Sequence, residues 1–246
     1  MSVYDVTMDS TTPILSRRER LRAQTLREIE DACFAIIDAE GVDALSIAAV
    51  ARSMAMSAPA LYRYFPSRDA LVAHLVTLSY QHLSDAMGQA VDGAGPSPRT
   101  RLRLLVAAYR QWALGHRRRY GMLFGERAAD LPAAVTSNTP LDQSMAVLID
   151  TLTGIQDTAP PADTSGDRTL DGQLRDWART QQRPGTPPSA ARAAIMIWTR
   201  VHGVVSLELT GIFDNQSIEA QRLIDLEIDD ALRPLKPAGA PAALGA

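Results

Sequence analysis

Cysteine and lysine are scarce in this 246-residue chain, and each scarcity narrows the readings open to it. The one cysteine, Cys33, cannot form an intramolecular disulfide or a multi-cysteine zinc site, which suits a reducing compartment. Its periodic position on an apolar face marks it as core rather than reactive. Lys236 is the only lysine, so positive charge is carried by arginine, and 25 basic against 28 acidic residues leave a net charge of −3. That balance argues against broad non-specific nucleic-acid binding while leaving room for a local basic face. No apolar run approaches the ~20 residues of a bilayer-spanning helix. The first residues also lack the apolar core and small-residue cleavage site of a secretory signal, so a cytoplasmic location is expected. A phosphate-binding Gly-rich loop, a Gly-x-Ser-x-Gly turn and a Glu-x-x-His pair are absent, and His74 and His82 have no carboxylate at ligand spacing between them. The expectation is a non-enzyme with no catalytic residue, metal or cofactor.

What is present is helical periodicity. Strand alternation and internal repeats are lacking, and segments with apolar residues three or four apart follow one another, which predicts an all-α fold. A first helix over 16–40 places Leu26, Ile29, Cys33, Ile36 and Ile37 on one face, with Gly41 ending it in the left-handed conformation. A second begins at Ser46, a good N-cap, and buries Ile47, Val50, Ala51 and Met54. A third begins at Ser57, with Pro59 in its first turn and Leu61 and Phe65 inward, until Pro66 stops it. Ser67 caps a fourth, which buries Leu71, Leu75 and Leu78 and ends among the Gly and Pro residues of 88–98. Further helices are expected over 98–115, 117–124, 139–154, 170–181, 189–213 and 217–235, with exposed loops at 157–166 and 183–188. Residues 1–15 and 236–246 lack periodicity and are read as disordered tails.

A helix, a short turn and a second helix of about eight residues form the geometry in which one helix braces while the next enters a major groove. With Leu61 and Phe65 inward, Ala58, Pro59, Tyr62 and Arg63 fall on exposed or flanking positions. Tyr62 and Tyr64 carry hydroxyls suited to phosphate, and Arg63 suits a guanine or the backbone. Arg68 is a cation in the first turn of a helix, where the macrodipole opposes it by roughly 0.3–1 kcal/mol. Two readings account for it: a phosphate shared with the free amides of that helix start, or neutralisation by the adjacent Asp69. Arg17, Arg18, Arg20, Arg22 and Arg27 likewise serve either as a solvated helix start or as a basic arm reaching a DNA groove.

The segment LSIAAVARSMAMSAPALYRYFPSRDAL, Leu45 to Leu71, resembles the DNA-binding signature of the TetR family of bacterial regulators. The resemblance implies a helix start at Ser46 near the phosphates, a recognition helix opened by Ser57 with base-facing Ala58, Pro59 and Ala60, phosphate contacts from Tyr62, Tyr64 and Arg68, and a variable reader at Arg63. Two residues depart from the pattern. Ala55 stands where a turn glycine is usual, at a cost on the order of 1 kcal/mol and with a slightly reshaped turn, and Tyr64 stands where His is commoner. Farther along, Trp198 to Gly203 resembles the Trp-x-x-x-His-Gly (WHG) signature of one subclass of the family's C-terminal domains.

The family implies an N-terminal three-helix helix-turn-helix domain, here 16–66, and a larger helical bundle, here 67–235, for ligand binding and dimerisation. Tyr109, Trp112, Met122, Phe124, Met145, Trp198 and His202 have the bulk and polarity for an effector pocket, and the same residues at helical spacing also read as plain core. Gly203 and Gly211 offer close approach to a helix or ligand. Val201, Val205, Leu209 and Ile212, with Ile224, Ile228, Ala231 and Leu232, form two apolar stripes expected to meet in a homodimer. The function implied is a repressor that occupies a palindromic double-stranded DNA operator and leaves it when a small molecule binds, with no membrane partner. Two other classes compete with it: an enzyme, for which no motif exists, and a helical module that touches protein with the same Tyr and Arg residues.

Overall fold

The computed structural model describes residues 16–95, 97–125, 140–156 and 167–231; within these, the side chains of 140–144, 154–156 and 231 are left aside. The expected tails at 1–15 and 236–246 and the loop at 157–166 lie outside the described residues. Ten α-helices and no strand occur among the described residues, as the periodicity predicts. They form two compact units that divide after Leu71.

The first unit holds α1 (Arg17–Glu40), α2 (Ile47–Ser53), α3 (Ala58–Tyr62) and the start of α4 (Arg68–Val91). Ser16 opens α1 with a reciprocal capping box: its hydroxyl accepts from the Glu19 amide at 3.2 Å, and its own amide donates to the Glu19 carboxylate at 2.7 Å. That hydrogen bonding holds the Glu19 carboxyl below its ordinary pKa. The early arginines therefore sit on an ordered helix and do not form a free arm. Ile29, Cys33, Phe34 and Ile37 bury the inner face of α1, and burial pushes the Cys33 thiol up to about 12, so it is inert core. Gly41 does end the helix, with φ 92° and ψ 169°: this is an extended backbone that glycine alone tolerates, not the expected left-handed helical one. A 3-10 turn, Val42–Ala44, follows.

The second unit continues α4 and adds α5 (Pro98–Gly115), α6 (Arg117–Phe124), α7 (Pro140–Gln156), α8 (Arg168–Thr180), α9 (Pro188–Leu209) and α10 (Ala220–Ala231). At its centre is α9, packed on α5, α7, α8 and α10. Ala190, Ala191 and Ala194 are fully buried along α9, and such small side chains let neighbouring helices approach closely. Arg110 on α5 clamps the carboxylate of Glu208 on α9 through Nε at 2.8 Å and through Nη2, and donates from Nη1 to Gln221 on α10 at 3.1 Å. Beyond Leu209 the chain turns at Gly211 (φ 76°), forms a 3-10 turn at Asp214–Gln216, and passes Ser217 in the left-handed region before α10. The first of the last two helices thus ends before the expected 213 and the second begins after the expected 217, because this turn intervenes; the expected stretch 232–235 lies outside the described residues.

The same packing corrects the dimer stripes. Val201, Val205, Ile224 and Ile228 are at most 3% exposed, because α9 and α10 spend these residues within the unit. Leu209 is half-buried and Ile212 is exposed; Leu232 and the Ala231 side chain are outside the described residues. The apolar residues left facing outward are Met196 and Leu207 on α9 and Leu226 on α10, the last 60% exposed. Gly203 shares the Met196–Leu207 face, and a Cβ built there would meet nothing within 4 Å, so no helix among the described residues crosses closely over it. Gly211 acts through its positive φ instead.

Candidate nucleic-acid interface and effector cavity

In the first unit, the turn between α2 and α3 is closed by a pair of hydrogen bonds. The Met56 amide donates to Ala51 O at 2.9 Å, and the Ala55 amide donates to Arg52 O at 3.2 Å, a Schellman ending whose left-handed position is filled by Ala55 at φ 52°. Two satisfied carbonyls thus hold a left-handed turn position with an alanine in it. Ser46 caps α2 by accepting from the Ala49 amide at 3.1 Å. Ser57 begins α3 without a side-chain cap bond and is exposed. The helix it opens has five residues rather than about eight, since Arg63 and Tyr64 complete only a closing turn before Pro66.

Leu61 and Phe65 pack inward, Pro59 and Arg63 are exposed, Ala58 and Ala60 are half-buried, and Tyr62 is 51% exposed. Among the described residues, neither Tyr62 nor Arg63 is engaged by any hydrogen bond or ion pair, so both donors are unspent there. Tyr64 is half-buried, and the Arg22 guanidinium lies 5.2 Å from its ring centroid, a cation–π contact that sets the start of α1 beside the end of α3. Arg22 thereby joins Tyr62, Arg63 and Tyr64 in one neighbourhood, which the spacing of the sequence could not show.

Arg68 has a structural task. Its Nε donates to Leu45 O at 2.8 Å and its Nη2 to Val42 O at 2.9 Å, carbonyls at the two ends of the 3-10 turn. Its position in the first turn of α4 is therefore offset by carbonyl acceptors, and its side chain rivets the start of α4 to the segment before α2. Ser67 caps the same helix start by accepting from the Ala70 amide at 3.1 Å.

In the second unit, four of the seven residues expected in an effector pocket come together. Tyr109 on α5, Phe124 on α6, and Trp198 and His202 on α9 form a cluster with ring centroids 4.9–6.1 Å apart in the contacting pairs Tyr109–Trp198, Phe124–Trp198, Phe124–His202 and Trp198–His202. Met145 on α7 joins through a cavity of about 20 Å³ that it lines with Met87, Leu105, Tyr109, Trp198 and Val201, among others. Trp112 is elsewhere, stacked on His116 at 5.1 Å, and Met122 is buried without lining the cavity.

Two residues missing from the sequence reading complete the cluster. The Tyr109 hydroxyl lies 2.8 Å from His202 Nδ1 and 3.2 Å from the Tyr120 hydroxyl, which is itself 3.1 Å from Nδ1 and 2.7 Å from Ser206 Oγ. Ser206 stands one turn beyond His202 on α9, a spacing that could have revealed it; Tyr120 had no such signal. Burial raises both tyrosine pKa values and lowers that of His202, so all three groups are neutral near pH 7. Two tyrosine hydroxyls thus meet at His202 Nδ1, and Ser206 extends the network through Tyr120.

The comparisons with known proteins agree with both units. Residues 29–75 match the family model described as "Bacterial regulatory proteins, tetR family", and residues 102–231 match "Tetracyclin repressor-like, C-terminal domain". The HTH-type transcriptional regulators Rv1816 of Mycobacterium tuberculosis and Mb1846 of Mycobacterium bovis are each 27% identical over 180 residues, covering 70% of this chain and 74% of theirs. The crystal structure of the protein SCO4313 is 35% identical, with a TM-score of 0.71 over 89% of this chain and 100% of that one. At 15% identity, the TetR family transcriptional regulator PfmR from Thermus thermophilus shares the fold, with a TM-score of 0.56 over 85% of this chain and 98% of its own. With a helix-turn-helix unit and a C-terminal bundle each matched by its own model, the chain belongs to the TetR family of bacterial transcriptional regulators.

Proposed function

We propose that the protein is a cytoplasmic, ligand-responsive repressor that binds a palindromic operator as a homodimer and is not an enzyme. The observation that carries the DNA reading is the unspent pair Tyr62 and Arg63 on the short α3, with Arg22 and Tyr64 beside them. A five-residue helix with small Ala58, Pro59 and Ala60 at its start lets the backbone approach base edges while the flanking cations and hydroxyls take phosphates. Arg68 serves this surface mainly by holding it: two of its donors are committed to carbonyls.

The repression switch rests on α4. This helix of 24 residues, about 36 Å long, is riveted at its first turn by Arg68 and carries Met87 at the effector cavity near its other end. A molecule that enlarges the cavity displaces Met87 and with it α4, which alters the spacing of the two recognition helices in the dimer and lowers operator affinity. The second copy covers Met196, Gly203 and Leu207 of α9 and Leu226 of α10, the apolar face that this chain leaves open. The likeness of Trp198, His202 and Gly203 to the Trp-x-x-x-His-Gly signature supports a bundle of the WHG subclass.

Selection of bound duplexes from a random pool tests the reading. Operator-like palindromes are expected, with affinity falling steeply as salt rises. Arg63→Ala is expected to cost about 1–3 kcal/mol and to relax one base position per half-site. No duplex bound at low salt would remove the DNA reading in favour of a protein-docking module; unchanged base preference in the variant would remove Arg63 as a reader.

A further inference from the structure

A second, larger cavity of about 230 Å³ opens between the C-terminal half of α4 and Val147 on α7. Among the described residues it shares only Met87 with the small apolar cavity, and it is just below the ~300 Å³ at which drug-sized sites begin. Ser84, Asp85, Gln89 and Asp92 supply its polar wall. Ser84 is 7% exposed, yet its hydroxyl takes no partner among the described residues. Thr77 and Ser79, earlier on the same helix, instead return their hydroxyls to the carbonyls of Ala73 and Leu75 at 3.1 and 2.7 Å. The Ser84 Oγ is not sealed either, so it faces the opening that the residue lines. Asp85 accepts one bond, from Gln81 Nε2 at 2.8 Å, and the Asp92 carboxylate accepts none among the described residues.

The formal charge on this wall is negative throughout. No lysine or arginine occurs between Arg68 and Arg99, or anywhere in α7. The last turn of α4 holds no basic residue, so the negative end of its macrodipole adds to the charge of Asp92. On neighbouring segments, Arg183 is held by both oxygens of Asp150 and Arg99 by Asp229; neither these nor His82 and Arg101 line the cavity. A hard metal ion needs about six converging oxygens, and no cluster of three acidic or histidine side chains suited to one occurs among the described residues.

We propose that this cavity binds an aliphatic diamine, one ammonium at Ser84 and Asp85 and the other at Asp92. Seven residues of helix place the two aspartates on one side of α4, about 10.5 Å apart along its axis, the span of an extended chain of about eight methylenes. Those methylenes cross Gly88, where a built Cβ meets nothing within 4 Å, and lie beside Met87 and Val147. Gln89 offers its amide oxygen to either head.

The test is calorimetric titration of the full chain at about pH 8, above the ordinary histidine pKa, with 1,8-diaminooctane, 1,4-diaminobutane, 1-aminooctane and magnesium chloride. The long diamine is expected to bind at least about fivefold more tightly than each of the other three. Asp85→Asn and Asp92→Asn should each weaken it about two- to fivefold, and Ser84→Ala about twofold or more. Gly88→Leu, which fills the open space and suits a helix, should weaken it at least about tenfold while the melting temperature shows the fold intact. Glu28→Gln, the same charge change on exposed α1, should leave binding unchanged. Equal binding of the monoamine or of magnesium, unchanged binding in Gly88→Leu, or a loss in Glu28→Gln as large as in Asp85→Asn would overturn the proposal. These titrations use no DNA, so their failure leaves the operator reading standing, and a failure of operator binding leaves the diamine site standing.

Discussion

Replacing Ala55 by glycine should make the protein more stable, although the substitution removes a side chain and adds no contact. Ala55 holds φ 52° at the end of α2, where an L-residue with a Cβ meets its following carbonyl and loses roughly 1–2 kcal/mol. Glycine removes that strain but adds freedom to the unfolded chain, a cost of about 0.4–1 kcal/mol. The difference is a net gain of roughly 0.5–1 kcal/mol, which for a unit of this size raises the melting temperature by ~2–8 °C. The assay is calorimetry of the full chain, following the transition of the N-terminal unit, with Ala48→Gly as its counterpart. Ala48 is exposed within α2 at ordinary helical φ, so glycine there should cost about 1 kcal/mol. The same chemical change thus has opposite signs a few residues apart. If both variants destabilise, the left-handed strain at Ala55 is not what the backbone angle implies. Both amide bonds of the Schellman ending survive in Ala55→Gly, so operator affinity should remain within about twofold.

Three further outcomes follow from the contacts. Arg68→Ala should destabilise the N-terminal unit without DNA by about 1–3 kcal/mol, and Arg68→Lys should lose nearly as much, because an ammonium cannot reproduce the forked reach to both Leu45 O and Val42 O; unchanged melting of both variants would leave Arg68 as a phosphate ligand only. Burial depresses the His202 pKa below 6.5, so the unfolded chain binds the proton more readily and stability should fall as pH drops below about 6.5 toward the folded value, a slope that His202→Gln should flatten in melts between pH 7.5 and 5.5. Leu226→Glu should convert the proposed dimer to monomer in sedimentation and weaken operator binding, whereas a mass equal to that of the parent protein would place the interface elsewhere.

The helices were legible because burial on one side imposes a period. Ile29, Cys33 and Ile37, or Leu71 and Leu75, recur at turn spacing and are fully buried. Ser46 and Ser57 mark helix starts from chemistry alone, since a short hydroxyl side chain suits the extended residue before a helix. Ends were less legible. The run through 189–213 reads as one helix, yet Gly211 and the turn after it break the chain, because a positive φ is favoured by glycine but not required of it. The candidate DNA surface was legible at Tyr62 and Arg63, which point outward from a short helix, and not at Arg22, which comes from another helix and is brought in by stacking on Tyr64.

Charge on one residue illustrates the limit best. From sequence, Arg68 is an unfavourable cation at a helix start; the compensating Val42 and Leu45 carbonyls lie 26 and 23 residues away, and only the fold delivers them. The dimer stripes failed for the related reason that periodicity tells which side chains are apolar and not whether a neighbour in the same chain or a second copy covers them. Local spacing and residue chemistry therefore determined the all-helical class, the helix-turn-helix and its outward Tyr62 and Arg63. Tertiary structure alone decided the long-range partners: Arg22 with Tyr64, Arg68 with two carbonyls, and Tyr109 and Tyr120 with His202. Such contacts join residues on separate elements, and their geometry is set by packing that no local pattern encodes.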